Sequence, residues 1–160
     1  MEKVGIPDGA ASADTAVLED LYRSEYAGMV RLAFTLVGNN AEAEDLVQDS
    51  FVEVSRRLAD IHKPGAYLRS AVVSRCRSAL RRRRVMERNA PEPPAGLASD
   101  AGELWDVLAK LPEDQRIAVV LRYYGGYKSS EISKILDMPA ATVRSHLRRG
   151  LAALREELDS

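Results

Sequence analysis

Cysteine is almost absent from the sequence. Cys76 stands alone among 160 residues, so no disulfide can form within the chain and nothing points to an oxidising compartment. Aromatic residues make up only 6%, and glycine and proline are sparse outside a few clusters. No period-two alternation of useful length occurs, so the composition leans towards helix and away from a sandwich or barrel. The two histidines, His62 and His146, are too scattered with Cys76 to match zinc-ligand spacing, and no metal site is expected. Gly125-Gly126 lacks the Walker surroundings of a phosphate loop and reads as a turn. No nucleophile–base motif appears, so the expectation is a protein without catalysis and without a cofactor. No apolar run approaches a membrane span, and the first residues lack a signal core, which makes the cytoplasm the expected location.

What is present is a 46% hydrophobic chain, rich enough to bury a core. Its net charge of −1 hides a strong segregation. Residues 1–60 carry twelve acids against five bases, whereas residues 63–88 carry nine bases against one acid, Glu87. Such sorting fits one surface for a polyanion and another for a different partner, although a charge run is often only a solvated helix face.

Apolar spacing predicts a helix over 14–37, with Leu18, Leu21, Tyr22, Met29, Val30, Ala33, Phe34 and Val37 on one stripe, stopped by Gly38-Asn39-Asn40. A second helix over 41–58 buries Ala43, Leu46, Val47, Ser50, Phe51, Val54 and Leu58. It turns Glu42, Asp45, Gln48, Asp49 and Glu53 outward. A third begins near Pro64 and ends in the run Arg81–Arg84. Residues 89–100 (NAPEPPAGLASD) read as a linker, because their prolines cannot sustain a helix. Beyond it, Leu104, Trp105, Leu108 and Leu111 recur at helical spacing, and Trp105 is expected in the core of this second part. Pro112 opens a helix with Glu113 and Asp114 in its first turn, where the helix dipole favours acids.

The C-terminal stretch is the most specific. A short helix over 129–136 and a longer one over 139–158 are joined by a turn so tight that the two must cross steeply, which is helix-turn-helix geometry. If Val143, Leu147, Leu151 and Leu154 are buried, then Arg144, Ser145, Arg148 and Arg149 project outward near the N-terminal half. That half of a recognition helix enters the major groove, where arginine forks pair with guanine edges or phosphates. His146 beside this face is a candidate phosphate contact. Arginines facing Cys76 would lower its thiol pKa, but a partly buried structural thiol is the simpler reading of this position.

The stretch LPEDQRIAVVLRYYGGYKSSEISKILDMPAATVRSHLRRGLAALR resembles region 4 of bacterial sigma-70-family factors, through Leu111, Pro112, Gln115, Arg116, Glu131, Ile132, Thr142, Val143 and Arg149 among others. AEAEDLVQDSFVEVSRRL resembles region 2.2, and AYLRSAVVSRCRSALRRRR resembles regions 2.3–2.4. With only regions 2 and 4, the chain is similar to the extracytoplasmic-function (ECF) group. The resemblance implies an all-α fold of two small helical domains joined by a flexible linker. Their expected bounds are a flexible tail over 1–13, region 2 over 14–88, the linker over 89–100 and region 4 over 101–158. It implies a factor that binds core RNA polymerase and directs promoter-specific initiation by recognising −10 and −35 elements.

By the same resemblance, Asp45, Gln48 and Asp49 would face the β′ clamp helices, and region 4 would reach the β flap. The −10 element would meet His62, Lys63, Tyr67, Arg69, Ser74, Arg75, Arg77 and Arg81, with the 61–65 loop where a flipped base is captured. The −35 element would meet Thr142, Arg144, Ser145, Arg148 and Arg149. An anti-sigma protein is a further implied partner, and a membrane is not. Ser74 stands where the family usually has Asn, and Tyr67 where it often has Trp, which bears on −10 sequence preference. Asp137 replaces the usual turn glycine, Pro139 the usual serine cap, and Ser133 an alanine. Taken without the resemblance, the residues also admit a conventional helix-turn-helix regulator or a helical interaction protein.

Overall fold

A computed structural model describes residues 8–89 and 102–159, which are all-α with no strand among them. Helix α1 (Asp8–Val37) and α2 (Asn40–Arg57) pack antiparallel, and α3 (Pro64–Asn89) closes a three-helix group against both. A second group follows: α4 (Gly102–Ala109), α5 (Glu113–Val119), α6 (Ser129–Leu136) and α7 (Ala140–Asp159).

The first group is built as its periodicity predicts. Leu21, Met29, Ala33 and Val37 of α1, Ala43, Val47 and Val54 of α2, and Leu68, Val72 and Leu80 of α3 are buried together. Tyr22 is the exception, half exposed on the outer surface. The α1–α2 turn is set by Gly38 at φ 75°, the left-handed conformation that glycine reaches without strain. Asn39 then caps α2, its side chain accepting from the Glu42 amide at 2.8 Å. Ser50 is fully buried because its hydroxyl donates to the Leu46 carbonyl at 2.8 Å. Arg83 ties the end of α1 down, donating to the Val37 carbonyl at 2.7 Å and pairing with Glu42.

Helix α1 starts at Asp8 and not at Asp14, so part of the expected tail, Asp8–Ala13, is helical. Ala10, Ala11 and Ala13 are strong helix formers and outweigh Gly9. The rest of that tail and nearly all of the expected linker lie outside the described residues.

In the second group, Ile117, Val120, Leu121, Ile132, Leu136, Val143 and Leu147 form the core. Helix α5 runs on through one wide π turn, Val120–Tyr124, in which the Gly125 amide reaches back to the Val120 carbonyl at 2.9 Å. The helix ends at the expected glycines, Gly126 taking φ 73°. Helices α5 and α7 cross closely at Gly150, where an added Cβ would lie 2.7 Å from Val119 Cγ2.

Apolar contact runs continuously from the first group into the second. Trp105 crosses the same boundary and corrects the expectation made for it. Its indole does not fill the second group's core; it lies across the α1–α2 turn of the first, against Gly38. A large flat ring at the start of a short helix finds more surface there than α4 alone provides.

Candidate nucleic-acid interface

The turn between α6 and α7 is held by its own atoms. The Lys128 amide donates to the Glu131 carboxylate at 3.1 Å, fixing the start of α6. At its end Asp137 takes φ 51°, ψ 54°, a left-handed conformation that glycine adopts more readily, and its amide bonds the Ser133 carbonyl. The Met138 amide reaches the same carbonyl at 3.1 Å, and the Ser133 hydroxyl donates to the Met138 carbonyl at 2.6 Å. Ser133 is thus a brace across the turn, and the left-handed residue sits inside a closed hydrogen-bonded loop. Pro139 then opens α7, its carbonyl accepting from the Thr142 and Val143 amides at 3.0 and 3.1 Å.

With Val143, Leu147 and Gly150 buried, 3.6-residue periodicity fixes the opposite face of α7. Arg144, Arg148 and Arg149 are exposed, while Ser145 and Thr142 are half-buried at the edges of the same face. All five −35 candidates therefore share one outward surface at the N-terminal half of α7. His146 does not join them. Its Nδ1 is buried without a hydrogen-bond partner on the packed side of the helix, which disfavours a phosphate contact through that atom.

The −10 candidates fall into two groups. His62, Lys63 and Tyr67 gather around a shallow pocket with Arg57, Ile61 and Ser70, where the α2–α3 loop meets the first turn of α3. Tyr67 also borders a neighbouring groove with Asp49, Glu53, Ser74, Arg75 and Arg82. Its phenol is pushed above its ordinary pKa, first by a hydrogen bond with Glu53 and then by burial. Ser74 is exposed on the groove's rim.

The arginine candidates are engaged with carboxylates. Arg75 pairs with Glu53 at 3.1 Å, and Arg69 with Glu25 at 3.0 Å while lying 5.9 Å from the centre of the Tyr127 ring. Arg77 and Arg81 reach across to α5, to Asp114 at 3.2 Å and Glu113 at 3.7 Å. Cys76 on the same helix is wholly buried, and burial pushes its thiol up to about 12, which fits the structural thiol and not a thiol lowered by neighbouring arginines.

Asp45, Gln48 and Asp49 are exposed along one face of α2, with Asp49 also bordering the groove just described. Beside them lies an aromatic cluster that sequence reasoning missed. Tyr22 and Tyr26 stack with centroids 4.5 Å apart, Phe51 tilts against both, and Gln48 Nε2 lies 3.4 Å from the Tyr26 hydroxyl. Val52 extends the patch, half exposed. The signal available was the i, i+4 spacing of Tyr22 and Tyr26, which was absorbed into the apolar stripe of α1.

Among the described residues no cluster of three or more potential metal ligands occurs, and no helix is long and apolar enough to cross a membrane.

These faces define a helix-turn-helix protein of two α-helical parts with separate acidic and basic surfaces. Residues 21–85 match the family model for sigma-70 region 2, and residues 101–154 match that for sigma-70 region 4. The chain is 32% identical to the RNA polymerase sigma-E factor of Streptomyces avermitilis, covering 94% of this chain and 89% of that one. It is 30% identical to the ECF RNA polymerase sigma factor SigL of Mycobacterium tuberculosis, covering 92% of each. Among solved structures, CnrH in complex with the cytosolic domain of CnrY has the same fold, with a TM-score of 0.73 at 22% identity over 94% of this chain and 93% of that one. The sigma factor RpoE of Bartonella quintana, solved with the anti-sigma factor NepR, gives a TM-score of 0.66 at 21% identity over 94% and 97%. The chain belongs to the sigma-70 family of RNA polymerase sigma factors, in its ECF group. Factors of this family direct core RNA polymerase to promoters.

Proposed function

We propose that the chain divides promoter reading between its two parts. Residues 14–88 hold core polymerase and the −10 element, and residues 101–158 hold the −35 element. The observation that carries this is the outward face of α7, where Arg144, Arg148 and Arg149 project from a helix whose other side is packed into a braced helix-turn-helix. Donors fixed on a rigid helix can read base edges in the major groove, whereas flexible surface cations would only follow phosphates.

Asp45, Gln48 and Asp49, flanked by Tyr22 and Val52, form the surface for the β′ clamp helices. An acidic rim around an apolar and aromatic centre is the composition of a protein interface. The second part reaches the β flap. The pocket of His62, Lys63 and Tyr67 takes an extruded −10 base, with Ser74 and the α3 arginines along the strand. Strand opening needs no hydrolysis, since capture of unstacked bases supplies the driving force. The protein is therefore not an enzyme, and it acts in the cytoplasm on another protein's catalytic centre. An anti-sigma protein is a further partner.

The test is run-off transcription with purified core polymerase and fragmented DNA from the source organism. Discrete transcripts sharing upstream elements are expected only when the protein is added. If none form while a housekeeping factor works on the same preparation, the reading fails.

A further inference from the structure

Tyr67 is the wall shared by two concave surfaces of the first group. On one side is the pocket with His62 and Lys63, about 470 Å³ in volume, and on the other the groove with Ser74 and Arg82. A pocket of that volume lies in the range that holds drug-sized ligands, larger than one nucleobase, so its shape alone does not orient a base. The backbone of Tyr67 is fixed in the first turn of α3, where its amide donates to the Lys63 carbonyl at 3.0 Å. Its hydroxyl is held from the other helix. Glu53 and Arg57 stand one turn apart at the end of α2, the spacing that puts two side chains on one helix face. The phenol donates to the Glu53 carboxylate, and Arg57 donates to the phenol oxygen. The ring is thus pinned at both ends, across the loop that joins α2 to α3. Glu53 also receives Arg75 at 3.1 Å, a guanidinium whose Nε is buried without a partner.

We propose that Glu53 and Arg57 are positioning residues for the extruded −10 base: by clamping the Tyr67 hydroxyl between them, they hold its ring as a fixed stacking wall of the pocket. The proposal rests on the reading of this pocket as the site of base capture. A wall that is already fixed loses no side-chain freedom when the base arrives, so more of the stacking energy is left to offset unstacking from the duplex. The phenol proton is committed to Glu53, and Arg57 occupies the oxygen. What Tyr67 offers the base is therefore its ring face. Stacking on a ring face tolerates every base, so the clamp sets the strength of capture and leaves its sequence to other residues of the site. Neither Glu53 nor Arg57 need touch the base, which is why a search for DNA-facing residues in the sequence passes over both.

The test uses the full chain with core polymerase and a forked promoter fragment recovered from the run-off experiment. An abasic residue is moved along the single-stranded −10 element, and affinity is read by fluorescence anisotropy. One position should weaken wild-type binding most, and its base is the captured one. The measured quantity is the ratio of affinities for the intact and that abasic fork, which cancels any change in net charge. Glu53→Gln, Arg57→Gln and Tyr67→Phe should each lower this ratio about tenfold, the scale of one base–aromatic stack. In a Tyr67→Phe background neither α2 substitution should lower it further. Circular dichroism checks that the helices persist; Arg57 is exposed and does not hold Arg75, so its variant decides alone if Glu53→Gln unfolds. A second readout sees the clamp without DNA. The ultraviolet difference between wild type and Tyr67→Phe isolates the ionisation of this phenol, expected above its ordinary value of about 10. Glu53→Gln should lower that value and Arg57→Gln should raise it, although both weaken capture, a pair of signs that a merely structural role does not produce. An unchanged affinity ratio, or losses that add in the Tyr67→Phe background, would overturn the positioning role. So would a phenol that ionises at its ordinary value and ignores both substitutions. If the titration shows the clamp but no abasic position matters, the clamp holds no base, and the base-capture reading of the pocket falls together with the proposed role.

Discussion

Replacing Gly150 by alanine sets two known effects against each other. A glycine in a helix interior is about 1 kcal/mol less favourable than alanine, so propensity alone predicts stabilisation. The new Cβ, however, would lie 2.7 Å from Val119 Cγ2 and 3.5 Å from the Gln115 carbonyl oxygen. Val119 is 5% exposed, and a β-branched side chain on a helix has one strongly preferred rotamer, so its methyl has nowhere to go. Helix α7 must then move off α5, and overpacking of this kind costs about 1–3 kcal/mol. The net expectation for Gly150→Ala is a loss of about 1 kcal/mol, seen as a fall of about 2–4 °C in Tm for a chain of this size.

The decisive measurement is the same substitution in a Val119→Ala background. Val119→Ala alone should cost about 2 kcal/mol for the lost methyls and the cavity they leave. With Cγ2 gone, the alanine Cβ at 150 enters that space, and only the propensity gain remains. Gly150→Ala should therefore destabilise the wild type and stabilise the Val119→Ala protein by about 1 kcal/mol, a coupling of about 2 kcal/mol. Denaturant unfolding followed by circular dichroism on the four proteins reads this directly. Equal effects in both backgrounds, or stabilisation of the wild type, would refute the close crossing of α5 and α7.

Asp137→Gly should raise stability by about 0.5–1 kcal/mol, because left-handed geometry strains any residue with a Cβ while glycine loses more chain entropy on folding; a lower melting temperature would contradict this. Arg149→Ala should weaken −35 duplex binding by about 1–3 kcal/mol, measured by fluorescence anisotropy, and relax selectivity at one base pair. An equal loss on every sequence would make it a phosphate contact. Cys76 has its folded thiol pKa raised, first by burial and then by the Glu42 charge, to about 12. Its contribution is whole below the unfolded value of about 9 and is lost as pH rises towards 12, by at most on the order of 4 kcal/mol. Cys76→Ala should flatten the decline in stability above pH about 9, and an unchanged slope would show that the thiolate is not excluded.

Most of the fold was legible because helical cores repeat their own signal. The stripe Leu21, Met29, Ala33 and Val37 is buried as a 3.6-residue period demands, and so is Val143 with Leu147. The outward arginines of α7 followed from that burial without further information. Tyr22 was misplaced for a physical reason. A tyrosine at helical spacing satisfies an apolar stripe equally well when it lies against Tyr26 and Phe51 on the surface. The brace from Ser133 to Met138 was also hidden, because a hydroxyl in place of a methyl reads only as a small residue until the facing carbonyl is located.

What no local pattern contained is the meeting of distant segments. Glu113 and Asp114 in the first turn of α5 are fully explained by the helix dipole, and that explanation is sufficient for the isolated helix. The same two carboxylates receive Arg77, Arg81 and Arg84 from α3. Trp105 likewise completes the apolar spacing of α4 yet rests on Gly38, whose φ of 75° already accounted for a glycine there. Each residue had a sufficient local reason, so nothing was left over to signal a second role. A side chain already explained by its own helix can still hold a remote one, and charge sorting was the only trace of it. A basic α3 and acids at the start of α5 are complementary to each other as well as to DNA and polymerase. That ambiguity is physical, because carboxylate and phosphate offer the arginine fork the same pair of acceptor oxygens.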